Sequence, residues 1–250
     1  MNAAEYANLD AVERTHWYYA GKRMMVRWWL ERAGPPRADQ VLLDCGAGTG
    51  RFALEMESCC SVLVLDDHEE ALRLLRSRFK PEQILSLSGD AVPLPDGSLD
   101  YVTALDVLEH VPDDVAVVRG FHRLLKPRGV AVVTVPASMA LWSDWDEGLH
   151  HYRRYDRPQL RALFAADQWE IVFVNYTNVV IYPAVWLVRK WRRFSRRPGA
   201  AATANTSRPE DKLPPAWLNA LLQGIFVGLA KMRLPFPFGV SLLLVARRRG

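Results

Sequence analysis

VLLDCGAGTG, Val41 to Gly50, sets an apolar run against a turn containing three glycines. An apolar run closed by glycine reads as a buried strand, and a helix follows from about Arg51. Gly46, Gly48 and Gly50, with Ala47 between them, let the backbone turn sharply and approach a ligand closely. Asp66 ends the next apolar run, about 20 residues past Gly46. A carboxylate there can accept hydrogen bonds from both hydroxyls of a ribose. The dinucleotide fingerprint G-x-G-x-x-G would need a glycine at Arg51. Asp44 also precedes the glycines, so a pyrophosphate would meet a carboxylate. A ligand amino group would be better placed. The alternatives are a ligand-free turn and a nicotinamide site.

Outward from this turn the chain keeps a rhythm. SVLVLD (61–66), ILSLS (84–88), LDYVTALDV (99–107) and GVAVVTVP (129–136) read as further strands. EEALRLLRSRF (69–79) and Pro112 to Leu125 read as helices between them, with Pro112 in a first turn. Alternating strands and helices make a parallel sheet covered on both faces. Before the rhythm, Ala3 to Ala33 reads as helical and is closed by Gly34-Pro35-Pro36. After it come a polar aromatic loop, a helix (158–166) and a strand from Trp169 to Tyr176. An apolar then basic segment, a linker, a helix from about Ala216 to Met232 and a last strand, VSLLLVARR, complete the chain.

The 250 residues suit one α/β domain with additions. Half are hydrophobic and 24% are charged, which predicts a packed core. A net charge of +4 is too small for a global nucleic-acid binder. Cys45, Cys59 and Cys60 have no metal spacing and suit a reducing, cytoplasmic setting. The N-terminus lacks the pattern of a secretory signal, and no apolar run is long enough to span a bilayer.

Five ordered segments resemble the class I S-adenosylmethionine-dependent methyltransferases. They are LLDCGAGTGRF, LVLDDHEEAL, SGDAVPLPDG, SLDYVTALDVLEHVPD and LLKPRGVAVVTVP, together spanning about residues 40–136. The resemblance implies a Rossmann-like seven-stranded sheet and S-adenosylmethionine as cofactor. It implies that Asp66 holds the ribose and Asp90 the adenine amino group, with the Ala91 backbone beside it. Gly46 and Gly48 would line the methionine moiety, and the backbone of Leu105 and Asp106 would touch its amino end. Asp67 departs from the apolar residue usual after the ribose carboxylate, so one of the two carboxylates should face solvent.

The donor of such a reaction is already activated, so the protein mainly aligns donor and acceptor. A base is needed only if the acceptor must lose a proton. His110, just after the fourth strand, is the leading candidate, with Glu109 as a partner; packing over the sulfonium is its other reading. His151 and Tyr155 follow. They lie in DEGLHHYRRYDRPQL (146–160), which leaves the fifth strand at the edge where open α/β sheets bind ligands. With Trp142 this loop reads as a lid over the acceptor. No metal is expected, because adjacent His150 and His151 diverge and have no cysteine partner. LWSDWDEGLHHYRRYDRPQL and HWYYAGKR (16–23) are similar to segments of a bacterial subgroup of the family, itself distantly similar to quinone-pathway O-methyltransferases. By that resemblance His150 lies on the acceptor side, and Arg153 and Arg154 bind an anionic acceptor or the methionyl carboxylate, or latch the lid onto Asp144, Asp146 and Glu147. Tyr18, Tyr19 and Arg23 would close over the cofactor from the N-terminal helix or simply pack.

RKWRRFSRR (189–197) carries six basic residues in nine, and the helix from Ala216 has an apolar face. Either an anionic membrane surface or ordinary packing accounts for them. The linker 198–215 is expected to be mobile. The expected organisation is a helical cap (1–36), a cofactor-binding core (37–176) with a lid (137–157), a basic and apolar insertion (177–238) and a final core strand (239–250). The expected reaction is methyl transfer to a small-molecule or lipid-linked acceptor at oxygen. An RNA methyltransferase and a non-catalytic binder of the cofactor are the alternatives.

Overall fold

The computed structural model describes residues 3–87, 91–195 and 213–250. Two helices, α1 (Ala3–Glu13) and α2 (Trp17–Ala33), open the chain. The break inside the expected single helix falls at His16, whose side chain caps α2 by accepting from Tyr18 N–H at 3.3 Å.

The core then alternates: β1 (Val41–Cys45), α3 (Arg51–Met56), β2 (Ser61–Leu65), α4 (Glu69–Arg78), β3 (Ile84–Leu85), β4 (Leu99–Leu105), α5 (Asp114–Leu124) and β5 (Leu125–Pro136). Two short helices, α6 (Asp144–Gly148) and α7 (Arg157–Leu163), precede β6 (Trp169–Thr177). Next come α8 (Tyr182–Ser195), α9 (Ala216–Lys231) and β7 (Ser241–Arg248). Several boundaries differ from the sequence reading, among them the start of the fifth strand, which is Leu125 and not Gly129. Pro112 lies ahead of α5, because Asp113 caps that helix by accepting from Ala116 N–H. The third strand stops at Leu85.

The sheet order is β3-β2-β1-β4-β5-β7-β6. β7 runs antiparallel between β5 and β6, and the other pairings are parallel. The fold is thus a seven-stranded, mostly parallel sheet with helices on both faces, as the sequence implied. Alternate residues feed two cores. Leu43, Val102, Val133 and Leu244 pack toward α5 and α7. Leu42, Tyr101, Val132 and Leu243 pack toward α2, α3 and α9. Trp29 joins the N-terminal helices to β6 and α9: its ring stacks on Phe173 at 3.8 Å and its indole N–H donates to the Ala230 carbonyl at 3.0 Å.

Register brings the strand ends together. Cys45 lies opposite Leu65 and Ala104, and Leu105 lies opposite Thr134. The chain leaving each strand therefore starts from one edge. Asp44, beside Thr103 in this register, is buried, and Thr103 Oγ1 donates to its carboxylate at 2.6 Å. Burial raises the Asp44 pKa to about 7. The unfolded carboxyl ionises near the ordinary value, so the ligand-free protein loses stability as pH rises from about 4 to about 7. Asp44→Asn should flatten that decline by on the order of 3 kcal/mol. Denaturant unfolding at stepped pH checks it; an unchanged slope would contradict the assignment.

Candidate functional site

The glycine turn sits at the carboxyl end of β1 and is held there by its backbone. Gly46 and Ala47 N–H donate to the Leu65 carbonyl at 2.8 and 3.0 Å. Gly50 has φ 77°, and a Cβ there would lie 2.6 Å from the Phe79 ring, so it serves packing. Gly48 has φ 56°, and a Cβ there would meet nothing within 4 Å. Open space against backbone is what a bound ligand requires.

Asp66 borders that space. Its two carboxylate oxygens accept from Gly48 N–H at 2.8 Å and His68 N–H at 3.0 Å. Burial raises its pKa, against those hydrogen bonds. Asp67 is exposed, so the adjacent carboxylates divide as expected. Asp90 lies outside the described residues, and Ala91 is exposed.

The N-terminal helices hold this turn from above. Glu13 accepts from Thr49 Oγ1, and Asp10 pairs with Arg78 at 2.6 Å and Arg51 at 3.5 Å. Tyr6 is buried, its ring 5.1 Å from that of His68. Burial and the nearby Asp66 push its hydroxyl above the usual range. Nothing in the sequence singled out Tyr6, because its neighbours come from α4 in the fold.

Two cap residues fall differently from expectation. Arg23 does not face the turn: its Nε donates to Glu55 at 2.8 Å and its guanidinium also reaches the Glu13 carbonyl at 2.7 Å. Its predecessor Lys22 reaches the site instead and pairs with Asp106. One residue is about 100° around a helix, which suffices to exchange the two. Burial disfavours the Lys22 charge, but Asp106 and Tyr18 outweigh it and hold the ammonium charged. Tyr19 sits among rings, 5.5 Å from His16 and 5.3 Å from Tyr18.

Asp106 follows β4 with φ 59°. Its N–H donates to the Thr134 carbonyl at 2.9 Å, and its carboxylate accepts from Thr134 Oγ1 at 2.9 Å. Burial works against its ionisation, yet Lys22 lowers its pKa below the ordinary value. Leu105, its neighbour, is half-buried.

The lid converges on Asp146, which is 1% exposed. Ser143 N–H, His151 Nδ1 and Arg154 Nε lie 2.9, 3.0 and 2.6 Å from its oxygens. Burial opposes its charge, but the His151 hydrogen bond and the Arg154 charge hold its pKa at about 2. Arg154 is buried and also donates to the Ala137 carbonyl at 3.0 Å. These contacts are those of the latch that the sequence offered as one of two roles. The Tyr155 hydroxyl is engaged as well: it lies 2.7 Å from the Asp114 carboxylate and 3.1 Å from the Leu108 carbonyl, and burial with that carboxylate drives its pKa far up. Arg153 reaches the Pro112 carbonyl at 2.7 Å and Asp114 at 2.8 Å. Trp142 Nε1 lies 3.4 Å from Glu147 Oε1.

His150 and His151 separate. His150 is exposed with φ 58°, whereas the His151 side chain is 9% exposed and turned inward. There it meets His110, ring centroids 4.6 Å apart and edge to face. Burial and the His151 charge lower the His110 pKa to about 4, so this imidazole is neutral at pH 7 and able to accept a proton. The sequence named both histidines; only the fold shows them in contact.

The open space over Gly48, the acid at Asp66, and a buried carboxyl at Asp44 fit S-adenosylmethionine at this edge. The family profile described as "Methyltransferase domain" matches residues 43–133. A ubiquinone biosynthesis O-methyltransferase of Pseudomonas aeruginosa is 30% identical over 185 residues, covering 63% of this chain and 78% of that protein. A Mycobacterium tuberculosis protein described as a "probable S-adenosylmethionine-dependent methyltransferase" is 27% identical over 137 residues. That match covers 53% of this chain and 50% of the mycobacterial protein, so the chain spans about half the length of this relative. Among solved structures, the complex between the Haloferax volcanii Trm112 methyltransferase activator and a methyltransferase superposes with a TM-score of 0.61. It is 17% identical, covers 99% of this chain and 95% of that one, and shares the fold. With the glycine turn, the carboxylate of Asp66 and the sheet order in place, the chain belongs to the class I S-adenosylmethionine-dependent methyltransferases.

Proposed function

We propose that the chain transfers a methyl group from S-adenosylmethionine to oxygen of a small-molecule or lipid-linked acceptor. The observation that carries the cofactor assignment is the open backbone at Gly48 beside the Asp66 carboxylate. The cofactor supplies an electrophilic methyl group, and the protein's residues orient it and exclude water. Asp66 would accept from the ribose hydroxyls, and the backbone at Gly46, Gly48 and Asp106 would border the methionine moiety. Asp90, with Ala91, is assigned to adenine by family resemblance alone. On the acceptor side stand His110 and His151, with His110 as the group that takes a proton. Oxygen as the attacked atom is supported by the similarity to ubiquinone biosynthesis O-methyltransferases. Arg153, half-exposed at the lid surface, is the remaining cation for an anionic acceptor.

A peripheral membrane position suits such an acceptor. No helix among the described residues is long and apolar enough to cross a membrane. Yet Leu187 and Trp191 of α8 and Trp217 and Leu221 of α9 are 62, 68, 70 and 52% exposed, with Lys190 beside them in α8. Apolar and basic side chains together favour an anionic surface. Free Cys45, Cys59 and Cys60 accord with a reducing cytoplasm.

Calorimetry with S-adenosylhomocysteine and, side by side, NAD tests the cofactor. The first should bind and the second should not. Asp66→Ala should weaken S-adenosylhomocysteine by about 10- to 100-fold, the loss of hydrogen bonds to a charged group; unchanged affinity would remove Asp66 from the site. Arg154→Ala should cost about 3 kcal/mol in urea unfolding, because Asp146 is left buried and uncompensated. Full stability with a raised KM would instead make Arg154 an acceptor ligand. Vesicles containing anionic lipid should sediment the chain at low salt and release it at high salt, while neutral vesicles should leave it in solution.

A further inference from the structure

Glu109, His110 and His151 come from two segments that meet only in the fold. Glu109 and His110 lie in the 3-10 turn Leu108–His110 after β4, and His151 lies in the lid. One potential ligand atom from each lies within 4.8 Å of the others. Their backbones are joined, because Tyr152 N–H donates to the Glu109 carbonyl at 2.8 Å.

Each group is prepared for a cation. Glu109 is 1% exposed, and its Oε2 has no hydrogen-bond partner. A buried carboxylate oxygen without a partner is costly unless charge or a metal compensates it. The nearby ammonium of Lys22 is paired with Asp106. His151 Nδ1 is engaged by Asp146 at 3.0 Å, which leaves Nε2 as the ligand atom. A carboxylate behind a ligating imidazole fixes its orientation and raises its basicity. The His110 ring meets that of His151 edge to face, with centroids 4.6 Å apart.

We propose that Glu109, His110 and His151 bind one divalent transition-metal ion at the acceptor side of the cofactor edge. Two imidazoles and one carboxylate on one side suit a borderline ion such as Mn²⁺, Fe²⁺, Co²⁺ or Zn²⁺ and leave coordination positions open. The role of the ion rests on the methyl-transfer reading; its binding does not. In that role the acceptor is a hydroxyl compound that can offer two neighbouring oxygens, such as a catechol. Coordination lowers the hydroxyl pKa, and its proton leaves to solvent, the ion replacing His110 as the group that deals with that proton. The oxygen–methyl bond then forms as the sulfur–methyl bond breaks, and the sulfonium becomes a neutral thioether.

The test is titration of the full chain with MnCl2 and, separately, ZnCl2, followed by calorimetry and, for Mn²⁺, by loss of the free-ion electron spin resonance signal. One ion should bind per chain. His110→Ala and His151→Ala should each weaken binding at least 10-fold, and Glu109→Gln should do the same, whereas His150→Ala should bind like the wild type. Circular dichroism and S-adenosylhomocysteine titration of every variant separate misfolding from ligand loss. His110 is exposed, so its variant is the one best able to keep the fold. Absence of saturable binding by both ions, or wild-type affinity in folded His110→Ala and His151→Ala, overturns the proposal. Failure of S-adenosylhomocysteine to bind would overturn the methyl-transfer reading and leave the ion site standing.

Discussion

Parallel pairing is the constraint on which this molecule depends. β1, β2, β4 and β5 run in one direction, so their carboxyl ends reach the same edge. Each strand must then be left by a loop and a crossover. The glycine turn, Asp66, Asp106 and the lid are the first things those loops present. Residues far apart in sequence become neighbours because backbone hydrogen bonding sets the register. β7, antiparallel, lies between β5 and the edge strand β6, and α8 and α9 lie in the connection that leads to it.

Two appended layers complete the edge, and both are held by charge. The N-terminal layer clasps the glycine turn through Glu13, Asp10, Arg51 and Arg78. The lid hangs on Asp146, a buried carboxylate with His151 and Arg154 on its oxygens. Removing one partner would strand the others without water, so such a cluster fixes geometry more than it adds stability. The chemistry is left to groups that the cluster positions. His151 carries the arrangement from Asp146 to His110.

The core was legible because periodicity and glycine spacing are local. The strands of the core and the mostly parallel, seven-stranded sheet follow from runs of apolar residues and from the resemblance of five ordered segments; the strand order came only with the fold. The lid was legible as a place and not as a set of roles. Tyr155 and Arg154 look reactive in DEGLHHYRRYDRPQL, but burial commits both to Asp114 and Asp146. Arg23 was read as closing over the cofactor or packing, and the fold pairs it with Glu55, while Lys22, about 100° around the helix, reaches Asp106. Adjacent His150 and His151 argued against a metal because they diverge and lack a cysteine partner. The groups that His151 meets in the fold, Glu109 and His110, come from a different loop.

By itself the sequence determined the residue types, the turn that only glycine can make, and the order of strands and helices. These depend on interactions within a few residues or on hydrophobic burial, which is nearly indifferent to partner. The tertiary structure alone decided which polar side chains touch, which are sealed from water and which remain open. Desolvation and hydrogen bonding depend on all the neighbours of a group, and here the neighbours of Asp146, Glu109 and Lys22 come from separate parts of the chain.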